Sequence, residues 1–156
     1  MKEDPVTDEV AALEALEADL VFESFDLNDA WRLGSAAAEV ILENGYSLSV
    51  QIVLGGRVVF KAAFNGVSQD TEPWLTGKAA AALLFQSSTM RVRLRKDTDP
   101  SVIAGLDEDL YRTHGGSVPI RVRERGIVGT ITVSGEPDTV DHAVAIDALQ
   151  RSLGRS

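Results

Sequence analysis

HGGSVPIRVRERGIVGTITVSGEPDTVDHAVAIDAL, residues 114–149, decides the fold of this chain. Two runs rich in β-branched residues, Ser117 to Val122 and Ile127 to Ser134, flank Arg123-Glu124-Arg125-Gly126, the sequence form of a short hairpin with glycine where φ must be positive. Ser134-Gly135-Glu136-Pro137 must end the second strand. Asp138-Thr139 can then cap a helix that carries apolar residues through Leu149. Both histidines of the chain, His114 and His142, lie inside this segment.

Working outward, 156 residues with 44% hydrophobic composition suit a single domain with one core. We read residues 1–18 as an acidic helix and 19–154 as the core. A net charge of -9, from 24 acidic and 15 basic residues, argues against nucleic acid as the main partner. The absence of cysteine removes disulfides, thiolate metal sites and cysteine nucleophiles. The polar start MKEDPVTDEV is unlike a secretory signal or transit peptide, and the small-apolar run from Ala79 to Phe85 is too short for a bilayer. The expectation is a cytoplasmic protein with no membrane partner.

Upstream, Val10, Leu13, Leu16 and Leu20 recur at helical spacing, predicting a helix over 8–18. Leu20 to Phe25 alternates like a short strand. Asp26 or Asn28 caps a helix that runs through Leu42, buries Ala30, Leu33, Ala37 and Ile41, and stops at Asn44-Gly45. Leu48 to Leu54 and Val58 to Phe64 form a hairpin about Gly55-Gly56. Asn65-Gly66 opens a loop. Thr71 can cap a helix to about Gln86, with Pro73 in its first turn.

Residues 87–114 read two ways. Met90, Val92 and Leu94 alternate with Arg91, Arg93 and Arg95, the period of a strand, whereas Ser87-Ser88 is a good helix cap before competent helix formers. Pro100 and Asp107 look like further helix starts, the second ending at Thr113-His114 with Gly115 as a left-handed cap. With 89–97 taken as helical, the element order implies an α+β domain with a mainly antiparallel sheet.

Trp74 and Lys78 after Gly66-Val67-Ser68, Ser87-Ser88, His114-Gly115-Gly116, Pro119-Ile120-Arg121-Val122, Val128-Gly129, Thr132-Val133-Ser134-Gly135 and Asp141-His142 together carry a resemblance. Over residues 18 to 154 the chain resembles a family related to the GlcG/HbpS-like proteins, a group labelled heme-binding or heme-degrading. The resemblance implies a profilin-like three-layer α/β/α fold with a five-stranded antiparallel sheet flanked by helices, a helix at 89–97, and a homo-oligomer. It places a basic residue beside Lys78, where this chain has Gly77. Any anion-binding contribution of that helix therefore falls to Lys78 alone.

The candidate ligand-binding residues are Trp74, Lys78, His114, Gly115, Gly116, Asp141 and His142. Trp74 and Lys78, at i and i+4, face the same way and suit a pocket with an aromatic wall and a cation. His114 reads either as a last-turn residue favoured by the helix dipole or as an exposed ligand or general base. Gly115 and Gly116 serve a turn or offer an anion nest. His142 shares a helix face with Ile146, Leu149 and Leu153, and burial near a helix start favours its neutral form. Asp141 stands three residues after Asp138, the capping-box spacing, with acid/base work as the other reading. Two histidines with one or two carboxylates are a conceivable metal set, although nothing in the spacing makes them converge.

The arginines at 91, 93, 95, 121, 123 and 125 contrast with residues 1–29, which hold ten acidic residues and one lysine. Internal or intersubunit salt bridges are the simplest reading. Three functions follow: a small-ligand-binding oligomer taking an anionic metabolite or heme, an enzyme using His114 or His142 as general base (heme degradation included), and an interaction protein acting through its assembled surface. No motif names a nucleophile, a metal set or a phosphate loop.

Overall fold

The computed structural model describes residues 5–155. The glycine corners fold as read: Ser117–Val122 (β4) and Gly126–Ser134 (β5) form the C-terminal hairpin, with Glu124 and Gly126 at φ of 66° and 80°. Ser49–Leu54 (β2) and Arg57–Ala63 (β3) form the other, turning at Gly55 and Gly56 with φ of 58° and 78°. Positive φ at both central residues matches the right-handed twist of the strands they join.

Five strands make one sheet in the order β1-β4-β5-β2-β3. Its first member corrects the sequence reading. The Leu20 to Phe25 strand shrinks to Val21–Phe22 (β1), and it pairs with β4 in parallel, so the sheet is mixed rather than antiparallel throughout. The remaining pairings are antiparallel.

The helices cover both faces of the sheet. Leu27–Asn44 (α2) begins at Asp26, whose carboxylate accepts from Asp29 N–H while Asp29 returns a bond to Asp26 N–H, and it stops at left-handed Gly45. With Asp138–Ser152 (α5) it packs on the sheet face built from Val50, Ile52, Val118, Ile120, Ile131 and Val133. The opposite face carries Ser49, Gln51, Ser117, Thr130, Thr132 and Ser134, all buried. Glu72–Phe85 (α3) lies against this polar face with three buried alanines, whose small side chains allow close approach. Hydroxyl pairs fill the layer, Ser117 with Thr132 at 2.9 Å and Ser49 with Thr71 at 3.2 Å.

Three expected caps differ in detail. Thr71 stands at the N-cap of α3 but makes no capping bond, because its hydroxyl donates to Ser68 C=O. Pro137 holds the N-cap of α5 with no side-chain bond, so Asp138-Thr139 is not its cap and Asp138 with Asp141 is not a capping box. The helix expected from Asp107 is also missing. Leu110 and Tyr111 N–H both reach Asp107 C=O, making a single turn, and Arg112 N–H then turns to Gly77 C=O at 3.0 Å. That bond diverts the donor the next helical turn requires. Pro100 starts only one 3-10 turn, Pro100–Ile103.

Residues 89–97 are helical despite their alternation, within Thr89–Thr98 (α4). Ser88 caps it as expected, its Oγ accepting Arg91 N–H, and Pro5–Ala18 (α1) supports that cap from far away in sequence. Glu17, only 3% exposed, accepts from Ser88 N–H at 3.0 Å and Ser88 Oγ at 2.8 Å, and Arg91 lies 3.5 Å from it. One carboxylate thus sits at the positive end of α4 and fixes α1 to it. Glu17→Ala leaves buried donors unpartnered and is expected to lower unfolding free energy by about 2 kcal/mol in urea titrations, with Glu17→Gln intermediate. An unchanged midpoint would mean that water serves Ser88 equally well. The segregated charges do meet internally, as Arg91 with Glu14 and Glu17 and Arg123 with Glu23. No helix among the described residues is long and apolar enough to cross a membrane.

Candidate functional site

At the end of β5 the chain must leave the sheet, and Ser134-Gly135-Glu136 does so between α3 and α5. A cleft of ≈400 Å³ opens there, lined by residues of both helices. Trp74, Lys78, His114 and Asp141 all line it, so four expected residues from three distant segments converge. Asp70, Ser134, Glu136 and Asp138 line it as well. Gly115, Gly116 and His142 are not among the lining residues.

Lys78 is 2% exposed, and each of its three donors is used: Val133 C=O at 3.0 Å, Ser134 Oγ at 3.3 Å and Asp141 Oδ2 at 3.0 Å. Asp141 closes the structure from the other side, its Oδ1 accepting Glu136 N–H at 3.1 Å. This ion pair links α3 to α5 around the tip of β5. Burial pushes the Asp141 carboxyl up to about 6, against the opposing pull of Lys78, and lowers the Lys78 ammonium. At neutral pH the pair is ionic and carries no net charge.

Gly116 and Gly115 make this tight junction possible. A Cβ on Gly116, whose φ is 138°, would stand 2.3 Å from Val133 O and 2.8 Å from Lys78 Nζ. One on Gly115 would meet Met90 Cε at 2.4 Å and Asp138 O at 2.7 Å. Gly115 N–H is committed to the Asp138 carboxylate, which also receives Arg93. The glycines therefore act by close approach.

His114 is exposed at the mouth of the cleft, in a turn rather than a helix, with its ring edge-on to Trp74 at 5.3 Å between centroids. Partial burial first, then the Lys96 ammonium, hold its pKa below the ordinary imidazole value, which leaves a free nitrogen lone pair. His142 is 7% exposed, on the buried face with Ile146 and Leu149. Neither of its ring nitrogens has a partner among the described residues, and burial lowers it to about 4. The two histidines do not share the cleft. Among the described residues no group of three or more His, Asp or Glu side chains is placed to hold a metal ion.

One side chain packed on the Trp74 wall escaped the sequence reading entirely, and it is not itself among the lining residues. Arg112 lays its guanidinium over the Trp74 ring at 4.3 Å. Nothing two residues before a His-Gly-Gly turn announces such a role, but Gly77 holds the signal in retrospect. A Cβ there would lie 2.6 Å from Arg112 Cγ. Gly77, where the resemblance led us to expect a basic residue, makes room for a cation from another segment.

The family model described as haem degrading protein HbpS-like matches residues 25–150. A UPF0303 protein of Streptomyces coelicolor is 37% identical over 153 residues, which is 96% of this chain and 97% of that one. The crystal structure of the Ybr137w protein is similar with a TM-score of 0.86 and 26% identity, covering 97% of this chain and 93% of that one. The crystal structure of a PduOC:heme complex is similar with a TM-score of 0.69 over 81% of this chain and 93% of that one. At 20% identity that last likeness speaks for the fold alone.

Proposed function

This chain belongs to the HbpS-like family, and we propose that it binds a small organic ligand in the cleft between α3 and α5, a carboxylate metabolite or a heme-type tetrapyrrole. The observation that carries this reading is the convergence of Trp74, His114 and the Lys78–Asp141 pair on one open cavity of a size usual for such ligands. The neutral pair supplies a rigid polar floor. Trp74 supplies an apolar wall, and His114 supplies a lone pair at the mouth.

For heme, His114 is the side chain that fits the iron, since its imidazole is exposed and held neutral. Bound heme would bring a redox-active iron to that nitrogen. Asp70 and Glu136 on the lining disfavour propionates lying inside, so His114 and Trp74 carry the fit. An acid/base enzyme is a second reading, favoured by Asp141 titrating near 6 beside Lys78. In it His114 is the base, because His142 lies buried outside the cleft. Assembly into a homo-oligomer remains part of the proposal, with the exposed Trp31 and Leu42 of α2 beside edge strand β3 as its natural contact.

Hemin titration followed by absorbance tests the tetrapyrrole branch. The expected result is saturation near one heme per chain, with a Soret shift lost in His114→Ala and kept in His142→Ala. A non-saturating signal indifferent to His114 removes heme and leaves the carboxylate branch.

A further inference from the structure

On the outer face of α2, Trp31 is 67% exposed and Leu42 60%, an unusual amount of bare apolar surface for one helix. Between them stand Ser35 and Ala38, both half-buried. The four recur at i, i+4, i+7 and i+11 and therefore form one stripe along the helix. They line a groove of ≈540 Å³ whose other wall includes Val59, Phe60 and Ala62 of edge strand β3. The Phe60 ring occupies the space a side chain on Gly34 would need, 2.4 Å from that Cβ position, and the Trp31 ring leans on it at 5.8 Å between centroids. The indole is thus braced from behind while most of it faces outward.

The order of the stripe identifies its occupant. Its spacing of four, three and four reads the same in both directions, with a large residue at each end and two small ones between. An antiparallel second copy of α2 sets Trp31 over the partner's Leu42 and Ser35 beside the partner's Ala38, and the small pair lets the helices approach closely. The charges follow the same symmetry. Arg32, 68% exposed, stands beside Trp31 at one end, and Glu39, 70% exposed, lies toward the other. Each keeps an in-chain partner, Asp29 and Arg151, in exposed pairs that hold it weakly. Antiparallel copies bring Arg32 toward the partner's Glu39 twice, whereas parallel copies set like charge against like.

We infer that a second copy of this chain seats on the groove between α2 and β3 about a two-fold axis, with the two α2 helices antiparallel and each Trp31 entering the groove of the other copy. The inference rests on the assembly named above and gives it an axis and an anchor.

Sedimentation velocity over a concentration series tests it, with circular dichroism as the check on folding. Trp31→Ala is expected to weaken self-association by about thirtyfold or more, the scale of a hot-spot tryptophan, and to leave the fold intact because the ring is largely exposed. Arg32→Glu and Glu39→Arg should each weaken it by about tenfold. Mixed one to one, these two variants should recover it, because both crossed pairs of the mixed dimer are again of opposite sign. No effect within a single chain produces that recovery.

Association indifferent to Trp31→Ala overturns the anchor. Single reversals that do not weaken association, or a mixture that does not restore it, overturn the two-fold axis. In either case a wild type that still associates does so through another surface, and the oligomer reading stands. A wild type that stays monomeric up to about 1 mM, where even a weak dimer forms, overturns both.

Discussion

Lys78→Met is expected to lower the unfolding free energy by about 3–5 kcal/mol, the usual cost of leaving one partner of a buried ion pair uncompensated. For a chain of 156 residues that corresponds to a fall in Tm on the order of 10 °C. The methionine keeps the length of the side chain, so the loss is electrostatic. Asp141 then stays buried with only backbone donors, and its pKa, already raised to about 6, rises further. A folded pKa above the unfolded value of 3.8 means that the native state binds the proton more tightly. The stability that proton contributes is therefore full below the unfolded value and is lost as pH rises through the folded one. The variant should accordingly recover relative to the parent as pH falls from neutral toward 5. Lys78→Met combined with Asp141→Asn should regain most of the loss at neutral pH, because the amide still accepts Glu136 N–H and carries no charge. Urea midpoints across this pH range decide the matter. A single variant as stable as the parent at pH 7 would show that water reaches the pair.

His142→Leu should do the opposite and stabilise. The neutral imidazole buries one donor and one acceptor without partners, and removing both is worth about 1–3 kcal/mol at neutral pH. Its pH dependence is the sharper test. His142 falls from 6.5 to about 4 on folding, so the unfolded chain binds its proton first. The stability linked to the neutral ring is complete above the unfolded value and is lost as pH falls through the folded one, for a total of about 3 kcal/mol. Asp141 runs the other way over much of the same interval, which flattens the parent's own profile. The difference between His142→Leu and the parent isolates the histidine. It should widen from pH 7 to pH 4, and parallel curves would mean that the charged ring finds a partner in the fold.

Much of the fold could be read because the decisive signals are local. Both hairpins announce themselves through glycines that must take positive φ, and α2 through Asp26 and Gly45. What stayed hidden depends on contacts between distant segments. Two residues, Val21 and Phe22, set the parallel edge, and so short a pairing has no period. The helix at 89–97, read from the Ser87-Ser88 cap against the alternation of Met90 to Leu94, is present with Ser88 Oγ accepting Arg91 N–H. What stayed hidden there is the buried Glu17, seventy-one positions before Ser88, that ties α1 to this cap. The turn at Asp107 looks like a helix until Gly77 captures Arg112 N–H.

The site divides in the same way. Trp74, Lys78, His114 and Asp141 stand out as rare or charged residues at corners, and the structure joins them. His142 reads correctly as buried and neutral, though not as a member of the cleft. Asp70 and Glu136 sit in ordinary polar stretches, and only the packing that brings α3 beside the β5 tip gives them a place in the lining. Gly77 illustrates the limit. In the sequence it is a missing cation, and in the structure it is the space that a cation fills.

The alanine-and-hydroxyl seam beneath α3 has a further consequence for how the molecule breathes. A helix that buries Leu75, a lysine and small side chains gives up less apolar contact when it lifts from the sheet than α5 does, so faster amide exchange is expected in α3 than in α5. The Lys78–Asp141 bond is its latch, and Trp74 rides on the same plate. A ligand held there weights the closed ensemble by RT ln(1 + [L]/Kd), so that filling the cleft and seating the helix form one equilibrium.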